Sequence, residues 1–207
     1  MIAFMKTSLA NLILMASVSS GCCAIQNLSI THADHVAYIV PAGTIGNQQI
    51  PPDQAQSMGN DFNVNQAIQI TALGVFDSGG DGLSCVLHAR IYDLDTQTSL
   101  ADVEFTPEHP GKLIGGSRYL VLKKPLKLKK GFHGTISVAY LGTDVLEPDG
   151  NWRQSAGNWT TDSDHGAISF VGMGRHSLMG TGDAFPDIVD PSPVPNNFAA
   201  GTFIFKR

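Results

Sequence analysis

The chain has two tryptophans, Trp152 and Trp159, and each closes a Gly-Asn-Trp triplet. Both lie in a polar stretch from Asp144 to Asp162, beside Asn151, Asn158, Arg153 and Gln154. Indole faces stack on the C–H faces of sugar rings, while amides and a guanidinium bond sugar hydroxyls. Trp152, Trp159, Asn151, Asn158 and Arg153 therefore form the first candidate ligand site. A long polar insertion in a compact domain is commonly functional. The competing reading folds each indole back as an apolar plug over one end of the domain.

A second constellation is Asp77-Ser78-Gly79-Gly80-Asp81-Gly82. Asp77 and Asp81, with Asp61 or Asp93 and the carbonyls of Gly79 and Gly80, supply the hard oxygens that calcium takes. The spacing does not match the EF-hand loop, which needs more acids and a closing Glu. The alternative is an Asp-Gly turn that holds no ion.

A third is Lys123, Lys124, Lys127, Lys129 and Lys130, interleaved with Leu126 and Leu128. It suits acidic polysaccharide or anionic lipid, and equally suits an edge strand armed against aggregation.

Catalytic sets are weaker. Asp102 and Glu104 alternate with Ala101, Val103 and Phe105, so both acids point to the solvent face of one strand and do not flank a glycosidic bond. His88, Arg90 and Tyr92 share a strand face and would line a sugar-lyase groove, or else stand as ordinary surface residues. No Gly-x-Ser-x-Gly elbow or His-Glu-x-x-His pair occurs. Cys85 alternates with Leu87, Ala89 and Ile91 on an apolar strand face, which predicts a buried core thiol.

The elements that must position these groups are strands. Of 207 residues, 43% are hydrophobic and only 15% charged, with 22 Gly and 11 Pro. That balance excludes a wholly disordered chain and favours short strands joined by many turns. With 18 acids against 13 bases, the formal charge of −5 argues against nucleic acid as partner. Strands are expected at 36–40, 68–76, 85–93, 100–105, 117–122, 134–141, 167–171 and 198–205. Outside the first residues no amphipathic helix reads through without a Gly or Pro. The expected fold is a single antiparallel β-sandwich, jelly-roll-like, over 36–207 after a lead-in at 25–35.

Residues 1–24 read as a secretory signal peptide: Lys6, then the apolar Leu9–Ala16, then small residues up to Ala24. The apolar run is shorter than the roughly 20 residues of a membrane helix. Cleavage after Ala24 leaves Cys85 as the sole cysteine and forbids an internal disulfide. Ser-Ser-Gly-Cys, ending at Cys22, also resembles a lipoprotein box, with lipid anchoring at Cys22 as the alternative.

The motifs Val40-Pro41-Ala42-Gly43-Thr44, Leu73-Gly74-Val75-Phe76-Asp77-Ser78, Ile91-Tyr92-Asp93, Gly115-Gly116-Ser117-Arg118-Tyr119, Gly131-Phe132-His133-Gly134-Thr135-Ile136 and Ala199-Ala200-Gly201-Thr202-Phe203 resemble a family of secreted bacterial β-sandwich domains of uncharacterised function. Such domains are often found in surface-sorted proteins. The resemblance implies an exported sandwich and carries no catalytic residues. The Pro-Glu-Pro sorting tail does not occur in this sequence. The expected function is a secreted, non-catalytic module that binds carbohydrate or cell-envelope material through its loops. The alternatives are a structural extracellular or matrix domain without a small ligand, and a polysaccharide-active enzyme.

Overall fold

The computed structural model describes residues 28–46, 55–141, 160–191 and 198–207. Among them the strands are β1 (His35–Val36), β2 (Tyr38–Ile39), β3 (Gln56–Val64), β4 (Ile68–Phe76), β5 (Leu87–Asp93), β6 (Thr98–Phe105), β7 (Lys112–Ile114), β8 (Ser117–Leu128), β9 (His133–Tyr140), β10 (Thr160–Thr161), β11 (Ile168–His176), β12 (Ile188–Val189) and β13 (Gly201–Lys206). No described residue is helical.

A five-stranded sheet runs β1-β13-β4-β8-β7 and a six-stranded sheet runs β12-β11-β3-β9-β5-β6, with every pairing antiparallel. The two stack with β4 facing β5, β8 facing β6, and β13 facing β9 and β3. Numbering β1, β3, β4, β5, β6, β8, β9 and β13 as first to eighth, the sheets contain the orders 1-8-3-6 and 2-7-4-5. That is the strand order of a jelly roll, with β11 and β12 added beyond β3. The expected sandwich is the observed fold.

Alternation fixes which faces meet. Ile68, Ile70, Leu73 and Val75 from β4, Leu87, Ala89 and Ile91 from β5, and Ile136, Val138 and Tyr140 from β9 share one core. Cys85 joins it at 5% exposure, as its place on an apolar strand face predicts. At the centre, the Phe203 ring lies 5.0 Å from Phe62 and 5.9 Å from Phe205. β13 is hydrogen-bonded between β1 and β4, so the chain's last strand occupies the interior of its sheet.

β3 lies where no strand is expected, between 40 and 68. Its inward residue Asn60 is polar, yet it is buried because its amide mimics a strand edge: Nδ2 donates to the Phe198 carbonyl and Oδ1 accepts from the Phe198 N–H. Gly59 faces the other way, where an added Cβ would lie 2.7 Å from the Ile136 carbonyl oxygen. Strand β8 runs six residues past the expected stop at Leu122.

Candidate functional site

Two bulges, one from each sheet, shape an open side of the sandwich. On β6, Ala101 pairs with Ile91 but Ser99 with Tyr92, so Leu100 has no counterpart on β5 and stands 41% exposed. On β8, Leu126 pairs with Ile70 and Val121 with Ala72, so Leu122–Pro125 bow out opposite Thr71 alone. Proline has no N–H to give a ladder, and a bulge on an unpaired edge is where a strand tolerates it. β7 covers β8 only at Ser117–Tyr119, which leaves the rest of that edge open.

Because β6 faces β8, the bulges border a groove of about 580 Å³ lined by Leu100, Ala101, Lys124, Pro125, Leu126 and Lys127. Its floor is apolar and its rim carries ammonium groups. The exposed Lys123, Lys124, Lys127, Lys129 and Lys130 make no ion pair or side-chain hydrogen bond among the described residues. The arginines behave differently: Arg90, Arg118, Arg175 and Arg207 each pair with an aspartate. The sequence had marked the lysines. It hid the groove, whose one signal is Pro125 inside an otherwise strand-like run.

The outer face of the six-stranded sheet holds the second cluster. Period-two alternation turns His88 and Arg90 outward opposite Glu104 and Asp102. Arg90 Nε donates to Asp102 Oδ2 at 2.8 Å, His88 Nδ1 lies 2.9 Å from Asp102 Oδ1, and His88 Nε2 lies 3.6 Å from Glu104. Arg90 also meets Asp183 Oδ1 at 2.6 Å and donates to the Asp183 carbonyl. Burial works against its charge, but hydrogen bonds with Asp102, Asp183 and Tyr92 outweigh it and hold the guanidinium pKa above its ordinary value.

Arg90 and Tyr92 are not the surface residues expected of an exposed strand face: they keep 8% and 6% exposure. The chain after β11 roofs them. Phe185 meets Tyr92 edge-on at 5.2 Å and takes Arg175 over its ring, while Arg175 pairs with Asp61 at 2.8 Å. Ser57 Oγ donates to the Ala184 carbonyl, and the Gly180 N–H to the Ala55 carbonyl. Gly182 packs so closely on the Tyr140 carbonyl that no side chain fits there. Under this roof the buried Ser137 hydroxyl has no hydrogen-bond partner among the described residues.

Three of the four carboxylates proposed for calcium, Asp77, Asp61 and Asp93, have protein partners. Asp77 is fully buried, with Arg118 Nε at 2.6 Å from Oδ2 and the Gly82 N–H donating to Oδ1. Asp81 is exposed in the same turn. Asp61 binds Arg175 and Thr135, and Asp93 accepts the N–H groups of Asp95 and Thr96. Among the described residues no three His, Cys, Asp or Glu side chains gather as a metal ion requires.

Trp152, Trp159, Asn151, Asn158 and Arg153 lie outside the described residues. The segment that carries them starts after β9 and ends at β10, whose Thr160 and Thr161 pair with Ile39 and Tyr38 of β2. Among the described residues no helix is long and apolar enough to cross a membrane. No protein-family model and no curated protein sequence matches the chain.

Proposed function

We propose that the protein is a secreted, non-catalytic β-sandwich module that binds carbohydrate or cell-envelope material. The observation that carries this reading is the edge groove: open, of ligand size, apolar at its floor and polar at its rim, as binding clefts are. A bulge borders it on each side, and bulges typically mark places where a sheet edge has been reshaped. The Trp152 and Trp159 segment adds a second binding surface in this reading. Export rests on the signal-like order of residues 1–24 and on the likeness to secreted bacterial sandwich domains. A glycan array probed with the protein tests the proposal. Saturable binding to one glycan class supports it, and an array without signal leaves a purely structural domain as the better account.

One observation favours a second reading, a polysaccharide lyase. His88 and Arg90 both bond Asp102, and Tyr92 bonds Arg90. In that chemistry His88 takes the proton beside a sugar carboxylate, the ring carbon's bond to the glycosidic oxygen breaks as a C=C bond forms in the ring, and the departing oxygen takes a proton from water to leave as a hydroxyl. Ultraviolet absorbance of the unsaturated product, lost in H88A, is the assay. A flat trace with every uronate polymer removes this reading.

A further inference from the structure

We infer that the groove between the β6 and β8 bulges is a binding site for a linear anionic polysaccharide, one whose sugars carry carboxylates or sulfates. The inference rests on the binding-module reading and names the ligand class. The argument begins with charge. The chain is acidic at −5, yet five of its 13 basic residues fall between Lys123 and Lys130, and none of those five is neutralised among the described residues. Every described arginine is already committed to an aspartate, which leaves these lysines as the concentrated source of unpaired positive charge.

Placement follows. Val121 to Leu128 runs beside Ala72 to Ile68 of β4, which at about 3.3 Å per residue is roughly 13 Å, longer than a single sugar ring. Lys124 and Lys127 stand on the rim of the groove itself, while Leu100, Pro125 and Leu126 offer apolar surface to sugar C–H faces. The acids of β6, Asp102 and Glu104, alternate to its outer face, where Arg90 and His88 hold them. A protective role at an open edge also accounts for exposed lysines. Pro125 and each bulge taken singly serve the same protection; a binding site accounts in addition for the facing of the two bulges across one groove. A polymer suits this shape better than a bilayer, because Leu100 is the one large apolar side chain of the lining that is exposed.

The test is isothermal titration of the full chain with polygalacturonate, with dextran of similar length, and with phosphatidylglycerol vesicles. Polygalacturonate should bind, dextran should bind at least about tenfold more weakly, and added salt should erode the difference. K124Q/K127Q should weaken polygalacturonate about tenfold without moving the melting temperature, K124R/K127R should bind like the parent, and K112Q should have no effect. Equal binding of dextran, indifferent to the lysine variants, overturns the anionic class and leaves the module reading standing. Absence of any polymer binding removes both. Equal loss in K112Q reveals diffuse charge attraction and no site. Vesicle binding tighter than polymer, with the same lysine dependence, overturns the inference in favour of a membrane. A K124Q/K127Q protein that aggregates, while its monomer fraction binds normally, assigns the lysines to edge protection alone.

Discussion

Replacing Asp102 tests whether the cluster on the outer sheet face is a clamp. In D102N the guanidinium of Arg90, only 8% exposed, loses the carboxylate at its Nε and keeps Asp183 as its sole anionic partner. Removing one member of a fully buried pair costs about 3–5 kcal/mol, whereas exposed pairs contribute about 0.2–1 kcal/mol. Asp102 is 42% exposed, so screening places the cost between these limits, at about 1–2 kcal/mol. For a chain of this size that lowers the melting temperature by about 2–8 °C. Asp183 is 78% exposed, and D183N should cost less than D102N. In an R90M background the charge that needed Asp102 is gone, and D102N should then cost under about 0.5 kcal/mol. Urea unfolding of the four proteins gives the cycle, and limited proteolysis of the 177–187 segment reports whether the roof loosens. Additive costs in the cycle, or D183N proving worse than D102N, would refute the clamp.

Phe203→Ala empties the centre of the core and should cost about 3–5 kcal/mol; removal of Phe198–Arg207 should abolish the cooperative melt altogether. W152A and W159A should weaken glycan binding and quench its fluorescence response while leaving stability unchanged; a large stability loss without a glycan effect would mark both indoles as core plugs. Asp162 is resisted by partial burial, but the Asp164 N–H and His35 hold its carboxyl below the ordinary aspartate range. Its contribution is therefore present above that range and lost as pH falls through the depressed value. D162N should melt lower than the parent near neutrality, and the gap should close in acid; a constant gap would show that the charge is irrelevant. Calcium at Asp77 must displace Arg118, so saturating calcium should leave the melting temperature of the parent and of D81N where chelator leaves it; a rise would show that the ion does compete.

Strands β4, β5 and β9 were legible because apolar residues recur at the period of a pleat and stop at Gly-rich turns. β3 was illegible for a physical reason: its outer residues Ser57, Gly59 and Asp61 look solvent-facing, yet the 177–187 segment covers Ser57, Gly59 lies against the Ile136 carbonyl, and Thr135 and Arg175 hold Asp61. That covering depends on partners over a hundred positions away, Arg175 with Asp61 among them. The same holds for the sites. The lysines and the His88-Arg90-Tyr92 alternation stand in the sequence as local patterns. Which carboxylate meets which arginine, and that two bulges would face each other, follows from register between distant strands.

The interior position of β13 also sets a schedule for folding. Until Gly201–Lys206 is available, the five-stranded sheet has a gap between β1 and β4, and the apolar faces that Phe203 and Phe205 cover stay wet. Completion requires contacts across nearly the whole described chain, since Val36 pairs with Ile204, and such non-local closure is slow. The sandwich therefore closes only once Gly201–Lys206 has emerged from the ribosome, and every strand before it spends its synthesis in an unfinished sheet with wet apolar faces.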